Sequence, residues 1–233
     1  YRINVSGDDA AGLAVANAAL GYFDTYSEIS QRAYTPWRAL GFDWFAQDGW
    51  KITPKIKLEY GVRYQYWQPW YSLWNNVAIF HPDYYDPANA ATVDPVGGFI
   101  TGGDRYNGVV LPGDGWPKEA IGRVAAADQP EFNRLFRGIP RGLSQTHSNV
   151  FAPRLGIAYA LDSKTAIRTG AGMFHNRVVL NDSTLHGGNP PIQTMIGVTN
   201  GIADAPAGAG GGARDYPFLM TSQDPVFKHP TAW

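Results

Sequence analysis

Residues Lys55 to Tyr66, KIKLEYGVRYQY, change character at every step. Ile56, Leu58, Tyr60, Val62, Tyr64 and Tyr66 are apolar or aromatic, and Lys55, Lys57, Glu59, Arg63 and Gln65 are charged or polar. Successive side chains of a strand point to opposite faces, so a period of two predicts a β-strand with one apolar and one polar face. Twelve residues at about 3.3 Å each reach about 40 Å, or about 30 Å when tilted by about 40°. That matches the hydrocarbon thickness of a bilayer. The apolar face therefore looks either at a protein core or at lipid.

Other stretches share the pattern. In ALGFDWFAQD, Ala39 to Asp48, Leu40, Phe42, Trp44 and Ala46 share one face against Asp43 and Gln47, and Phe45 breaks the alternation. In NVFAPRLGIAYAL, Asn149 to Leu161, Phe151, Pro153, Leu155, Ile157 and Tyr159 alternate with Ala152, Arg154, Gly156 and Ala158. After the turn residues Asp162 to Lys164, Ile167, Thr169, Ala171 and Met173 oppose Arg168, Gly170 and Gly172. These pair into two predicted hairpins with short turns, 37–67 and 149–175. Ahead of them, 7–35 is read as a short helix around Ala10 to Leu20, packed by its Leu/Val face, followed by an extended stretch. Ser6 or Asp8 is its expected cap and Gly21 its stop. Long loops are expected at 67–148 and 176–233.

Loops that long sit poorly in a compact soluble domain, whereas outer-membrane barrels combine short periplasmic turns with long extracellular loops. Aromatic residues also gather where strands would leave a bilayer. Tyr64, Tyr66, Trp67, Trp70, Tyr71 and Trp74 stand on the loop side, and Trp50 and Tyr159 stand near the short turns. Phe and Tyr in strands also pack soluble cores, but loop asymmetry and girdle together favour lipid. The expected fold is all-β: antiparallel hairpins of part of an outer-membrane β-barrel. Ile56, Leu58, Tyr60, Val62, Tyr64, Leu155, Ile157 and Tyr159 are assigned to lipid, and Lys57, Glu59, Arg63, Arg154 and Arg168 to a wet lumen, where the arginines are expected to pair with acids.

Composition removes several function classes. The formal net charge is −1, so nothing favours phosphate backbones and no nucleic-acid partner is expected. Cysteine is absent, which excludes disulfides, zinc thiolates and a thiol nucleophile. No apolar run is long enough for a transmembrane helix. The chain opens on Tyr1 rather than Met and is expected to be processed or partial.

No catalytic constellation emerges, so no enzyme and no cofactor are expected. The five histidines (His81, His147, His175, His186, His229) are scattered, without an H-E-x-x-H motif. Ser144, His147 and Asp162 are a conceivable triad, though no G-x-S-x-G marks a nucleophile. Gly208 to Gly212 reads as flexible loop, since the Lys-Ser/Thr of a phosphate cradle is missing. Asp83, Tyr84, Tyr85, Asp86 and Asp114 form a candidate ligand or cation loop, although Asp before Pro is also a common turn device. No resident metal is assigned.

The segment WFAQDGWKITPKIKLEYGVRYQYWQP resembles the F-x-Q-D-x-W-K-…-L-x-Y-G-x-R-Y-x-Y signature of TonB-dependent outer-membrane receptors. It looks closest to the large Oar-like receptors with a carboxypeptidase-regulatory-like N-terminal domain. NVFAPRLGIAYALDSKTAIRTGAGMFHNR resembles their second hairpin, and LHGGNPPIQ is similar to the segment that follows it. FDTYSEISQRAYTPWR and YNGVVLPGDGWPKEA are also similar to segments of these receptors. The resemblance implies a plugged barrel of about 22 strands in the bacterial outer membrane, importing a ligand with energy relayed by TonB. Its implied partners are outer-membrane lipid, the remaining strands and plug or neighbouring chains, and the TonB system through a missing N-terminal part. No plug, regulatory-like domain or TonB box is found in the sequence, and about four spanning strands cannot close a barrel. The chain alone is therefore not expected to transport. An alternative reading is a structural subunit of an envelope or extracellular assembly. A soluble carbohydrate-binding β-sandwich fits the long loop less well.

Overall fold

The computed structural model describes residues 2–4, 12–30, 34–95, 100–204, 220–226 and 231–232. It divides into two compact units. One comprises Tyr1–Pro36, Leu73–Ile139 and Thr184–Gln223, and the other Trp37–Ser72, Pro140–Ser183 and Asp224–Trp233.

The alternating stretches build the second unit. They form strands β1 (Gly41–Lys51), β2 (Ile56–Trp67), β3 (His147–Ala160) and β4 (Ala166–Gly172). The two expected hairpins merge into a single four-stranded antiparallel sheet in the order β4-β3-β2-β1. β2 and β3 pair from Ile56↔Tyr159 to Trp67↔His147, with a register shift between His147 and Val150. Each strand thus lies beside its successor in this series, as in an up-and-down barrel wall.

Local chemistry closes both short turns. The Thr53 hydroxyl oxygen accepts from the N–H groups of Lys55 (3.2 Å) and Ile56 (3.0 Å). The Asp162 carboxylate accepts from those of Lys164 (2.7 Å) and Thr165 (2.8 Å), which hold its pKa below the usual value. Both turns fall at one end of the sheet. The 68–146 segment leaves β2 and enters β3 at the other end. Gly61 permits close pairing of β1 with β2, since a Cβ there would lie 2.8 Å from the Ala46 carbonyl oxygen.

The expected long loop at 67–148 contains most of a hydrophobic core. Ala78, Val109, Leu111, Ala120, Val124, Phe132, Leu135 and Ile192 are buried together in the first unit. Short 3-10 turns at Lys118–Ala120, Ala125–Asp128 and Pro130–Leu135 deliver several of these side chains. Edge-on ring pairs, Tyr106–Phe132 at 5.3 Å and Trp116–Phe136 at 5.0 Å, pack against it. Gly108, at φ 79°, lies against Phe80, whose ring would be 2.4 Å from any Cβ.

Three expectations near the termini are corrected. The helix spans only Ala14–Ala19 and starts after Leu13, which makes no side-chain cap bond; Ser6, Asp8 and Ala10 lie outside the described residues. It does not pack by its Leu/Val face: Leu13 and Val15 are exposed and Asn17 is buried. Six residues make fewer than two turns, too few for an amphipathic stripe. Gly21, at φ 78°, follows its C-cap Leu20, where the predicted stop lies. Second, the extended stretch is a strand, Tyr22–Ile29, lying between Arg2–Asn4 and Met195–Ile202 in a three-stranded sheet. Third, the segment expected as a loop at 176–233 supplies that Met195–Ile202 strand and a short helix at Leu180–Thr184.

Candidate functional site

The register of the four-stranded sheet sorts the side chains by face. On one face Ile167, Tyr159 and Ile56 stand in a row, followed by Thr169, Ile157, Leu58 and Trp50. Next come Ala171, Leu155, Tyr60 and Asp48, then Pro153, Val62 and Ala46, then Phe151, Tyr64 and Trp44. All eight residues assigned to lipid from the sequence therefore share this face. The five assigned to a lumen share the other, where Arg168 and Lys57 flank Ala158 and Arg154 stands beside Gly61.

The apolar face is open. Trp44 is 52% exposed, Leu155 48%, Ile157 41% and Ile167 56%, and Phe42, Trp50, Tyr60, Phe151 and Tyr159 are exposed as well. Half exposure loses roughly 1 kcal/mol of the ~1.5–3 kcal/mol that full burial of a large apolar side chain yields. Over these nine side chains the loss is about 10 kcal/mol, as large as the whole stability of an ordinary domain. Such a face demands an apolar surrounding. Its one carboxylate, Asp48, lies near the short-turn end and accepts hydrogen bonds from the Tyr60 hydroxyl (3.1 Å) and the Gly49 N–H (2.7 Å). Only register shows Tyr60 beside Asp48.

On the polar face Lys57 pairs with Glu59, and the Arg63 guanidinium lies 3.5 Å from Asp43. The expectation that the arginines pair with acids fails for Arg168, which has no ion pair among the described residues, and for Arg154, whose side chain has no ion pair or hydrogen bond among them. Its register neighbours are glycines, Gly61 and Gly172.

The expected aromatic girdle is only partly present. Phe42, Trp44 and Tyr64 stand on the apolar face at the loop end, and Trp50 and Tyr159 at the turn end. Trp67 instead is buried on the polar side of the sheet. Trp70 and Tyr71 are covered by Arg177 (5.0 Å) and Arg141 (4.7 Å), and Trp74 packs with Tyr34 and Arg123. Aromatic residues beyond a strand end find cations and each other before they find an interface.

The candidate loop residues make local contacts, and Asp86 caps a turn. The Asp86 carboxylate accepts from the Ala88 N–H and the Asn89 amide, Tyr84 packs edge-on to His81, and Tyr85 lies near Phe80. Asp83 approaches His81 at 4.0 Å, and Asp114 lies beside Gly138. Among the described residues no group of three acidic or histidine side chains is placed to hold a metal. The Ser144, His147, Asp162 triad is overturned, since His147 opens β3 and Asp162 lies beyond its far end. Fifteen residues of extended chain separate them by about 50 Å. His229 and Gly208 to Gly212 lie outside the described residues. An electrostatic feature missed by sequence reading is the fork of Arg134 on Asp104, at 2.6 and 2.8 Å. Its hydrogen bonds hold the Asp104 carboxyl below its ordinary range, while burial raises the neighbouring Tyr106 hydroxyl.

Among the described residues no helix is long and apolar enough to cross a membrane, so any crossing falls to strands. Long antiparallel strands in next-neighbour order, with one open apolar face, one charged face and turns short at one end only, define the wall of an outer-membrane β-barrel domain. A family model described as an outer membrane beta barrel domain matches residues 2–232, and the chain belongs to that family. Its place is the bacterial outer membrane. No curated protein and no solved structure matches the chain.

Proposed function

We propose that the chain supplies barrel wall and outer loops to a TonB-dependent receptor of the Oar-like kind, moving a ligand across the outer membrane. The observation that carries this reading is the open apolar face of the four-stranded sheet, backed by a charged one. Ile56, Leu58, Tyr60, Val62, Tyr64, Leu155, Ile157 and Tyr159 contact lipid, and Lys57, Glu59, Arg63, Arg154 and Arg168 line the lumen. β1 and β4 are the edges of the sheet among the described residues, and further strands must pair with them, because unpaired backbone is not tolerated in hydrocarbon. A plug and the TonB system are the other partners of this reading, and no catalysis is assigned.

These 233 residues contain no cysteine, so thiols can be introduced along both faces without competing sites in the sheet. Single cysteines at 56, 58, 155 and 157, and at 57, 59, 154 and 156, would be introduced into the protein in native outer membranes. A membrane-impermeant maleimide should label the second set, and a lipid-borne nitroxide should quench fluorophores on the first. Alternating labelling without nitroxide quenching of the first set, with the protein recovered free of detergent, would instead favour a structural subunit whose apolar face is covered by protein.

A further inference from the structure

Arg154 is left over by the architecture described above. It projects from β3 between two glycines at register, so neither neighbouring strand raises a side chain beside it. Its diagonal neighbours on the same face are Glu59, which stands opposite Gly156, and Arg63, which stands opposite Ala152. Arg63 has one long contact, 3.5 Å to Asp43, and its buried Nε has no hydrogen-bond partner among the described residues. Gln47, opposite Gly61, adds an amide on the third side. Together with Phe45 these groups line a cleft of about 240 Å³.

The floor is kept bare by backbone geometry. A Cβ at position 61 would stand 2.8 Å from the Ala46 carbonyl oxygen and 3.2 Å from the Gln47 Cβ. The field around the cleft is positive. Lys51, Lys57, Arg63, Arg154 and Arg168 share the face with only two carboxylates, Asp43 and Glu59, and Glu59 is engaged by Lys57. Two guanidiniums on a diagonal repel each other until something negative lies between them. Each offers a planar fork of N–H donors, the geometry that an oxyanion takes up in a bidentate way.

We infer that Arg63 and Arg154, with the Gln47 amide, form an oxyanion-binding site on the polar face, accepting the carboxylate or phosphate group of an anionic ligand. The site rests on the barrel reading only in that this face meets water. Asp43 competes with the ligand for Arg63.

The test is a calorimetric titration of the folded full-length protein in detergent micelles with inorganic phosphate and, separately, with succinate. Saturable binding of at least one is expected, and the tighter of the two identifies the group. R154Q should weaken it by about tenfold or more, as loss of a charge-assisted fork does. R154K, which keeps charge without the fork, should fall between, and D43N should tighten binding. K51Q, on the same face at the strand end, should leave it unchanged. Absence of saturable binding to either anion overturns the site, and so does an equal loss in R154Q and K51Q, which would be charge screening alone. The cysteine labelling separates the two ideas. Nitroxide quenching at the apolar positions without anion binding removes the site and leaves the barrel reading, whereas absence of quenching removes that reading and leaves the titration to decide the site.

Discussion

Replacing Leu155 by Arg tests the face assignment most sharply. Leu155 stands between Tyr60 and Ala171 on the apolar face, and β3 ends at Ala160. Five residues at about 3.3 Å, tilted by about 40°, place it about 13 Å in from the short-turn end, close to the middle of an apolar band about 25 Å tall. A lipid-facing Arg at the midplane costs about 2–4 kcal/mol, falling to about 0–1 kcal/mol near the interface. L155R should therefore destabilise by about 2–4 kcal/mol and Y159R, one residue from the strand end, by no more than about 1 kcal/mol. G156R points to the other face, where a Cβ finds Glu59 at ordinary contact distance, 3.8 Å. With solvent and a carboxylate to meet there, its cost should stay within about 1 kcal/mol. The assay is equilibrium denaturation of the full-length protein in phospholipid vesicles, followed by tryptophan fluorescence. If L155R costs no more than G156R and Y159R, the apolar face is not in hydrocarbon and the reasoning fails.

Other expectations follow from single contacts. G61A drives a methyl into the Ala46 carbonyl at 2.8 Å, across backbone that cannot give way; thermal denaturation should show a loss of about 1–3 kcal/mol. N189A removes an amide that donates to the carbonyls of Ala78 (2.6 Å) and Thr221 (2.6 Å) and accepts from the Thr221 N–H (2.9 Å). Leaving buried backbone groups unpaired should cost about 2–4 kcal/mol by denaturant titration. Arg134 lowers the Asp104 carboxyl below its usual 3.8. Stability from the pair is therefore present above the unfolded value and lost as pH falls through the folded one. R134Q should be less stable than the parent at neutral pH, with the gap closing below about pH 4 in stability curves measured against pH.

The long alternating strands were legible because their signal is local. Lys55 to Tyr66 state their two faces one residue at a time, and the Thr53 and Asp162 turns carry their own hydrogen-bonding chemistry. The helix was over-read from alanine propensity, which is a weak prior beside tertiary context. The Tyr22–Ile29 strand was missed because one partner, Arg2–Asn4, is only three residues long and the other, Met195–Ile202, lies more than 160 residues away. The buried cluster around Leu111 and Leu135 was hidden for the same reason: 3-10 turns impose no long period on a sequence, so Pro- and Gly-rich stretches look like loop. At the candidate site, alternation put Arg154 on the charged face but said nothing of its neighbours.

Composition and periodicity by themselves determined an all-β chain with two-faced strands, short turns at one end and no thiol chemistry, since side-chain alternation is a property of extended backbone alone. Only the tertiary structure decided that β2 pairs with β3 across roughly 80 intervening residues, because pairing is settled by which contacts repay the entropy of closing so long a loop. The same register put Tyr60 against Asp48 and left Arg154 between two glycines beside Arg63. Which charges meet and which stand alone is a relation between strands, and no single strand encodes it.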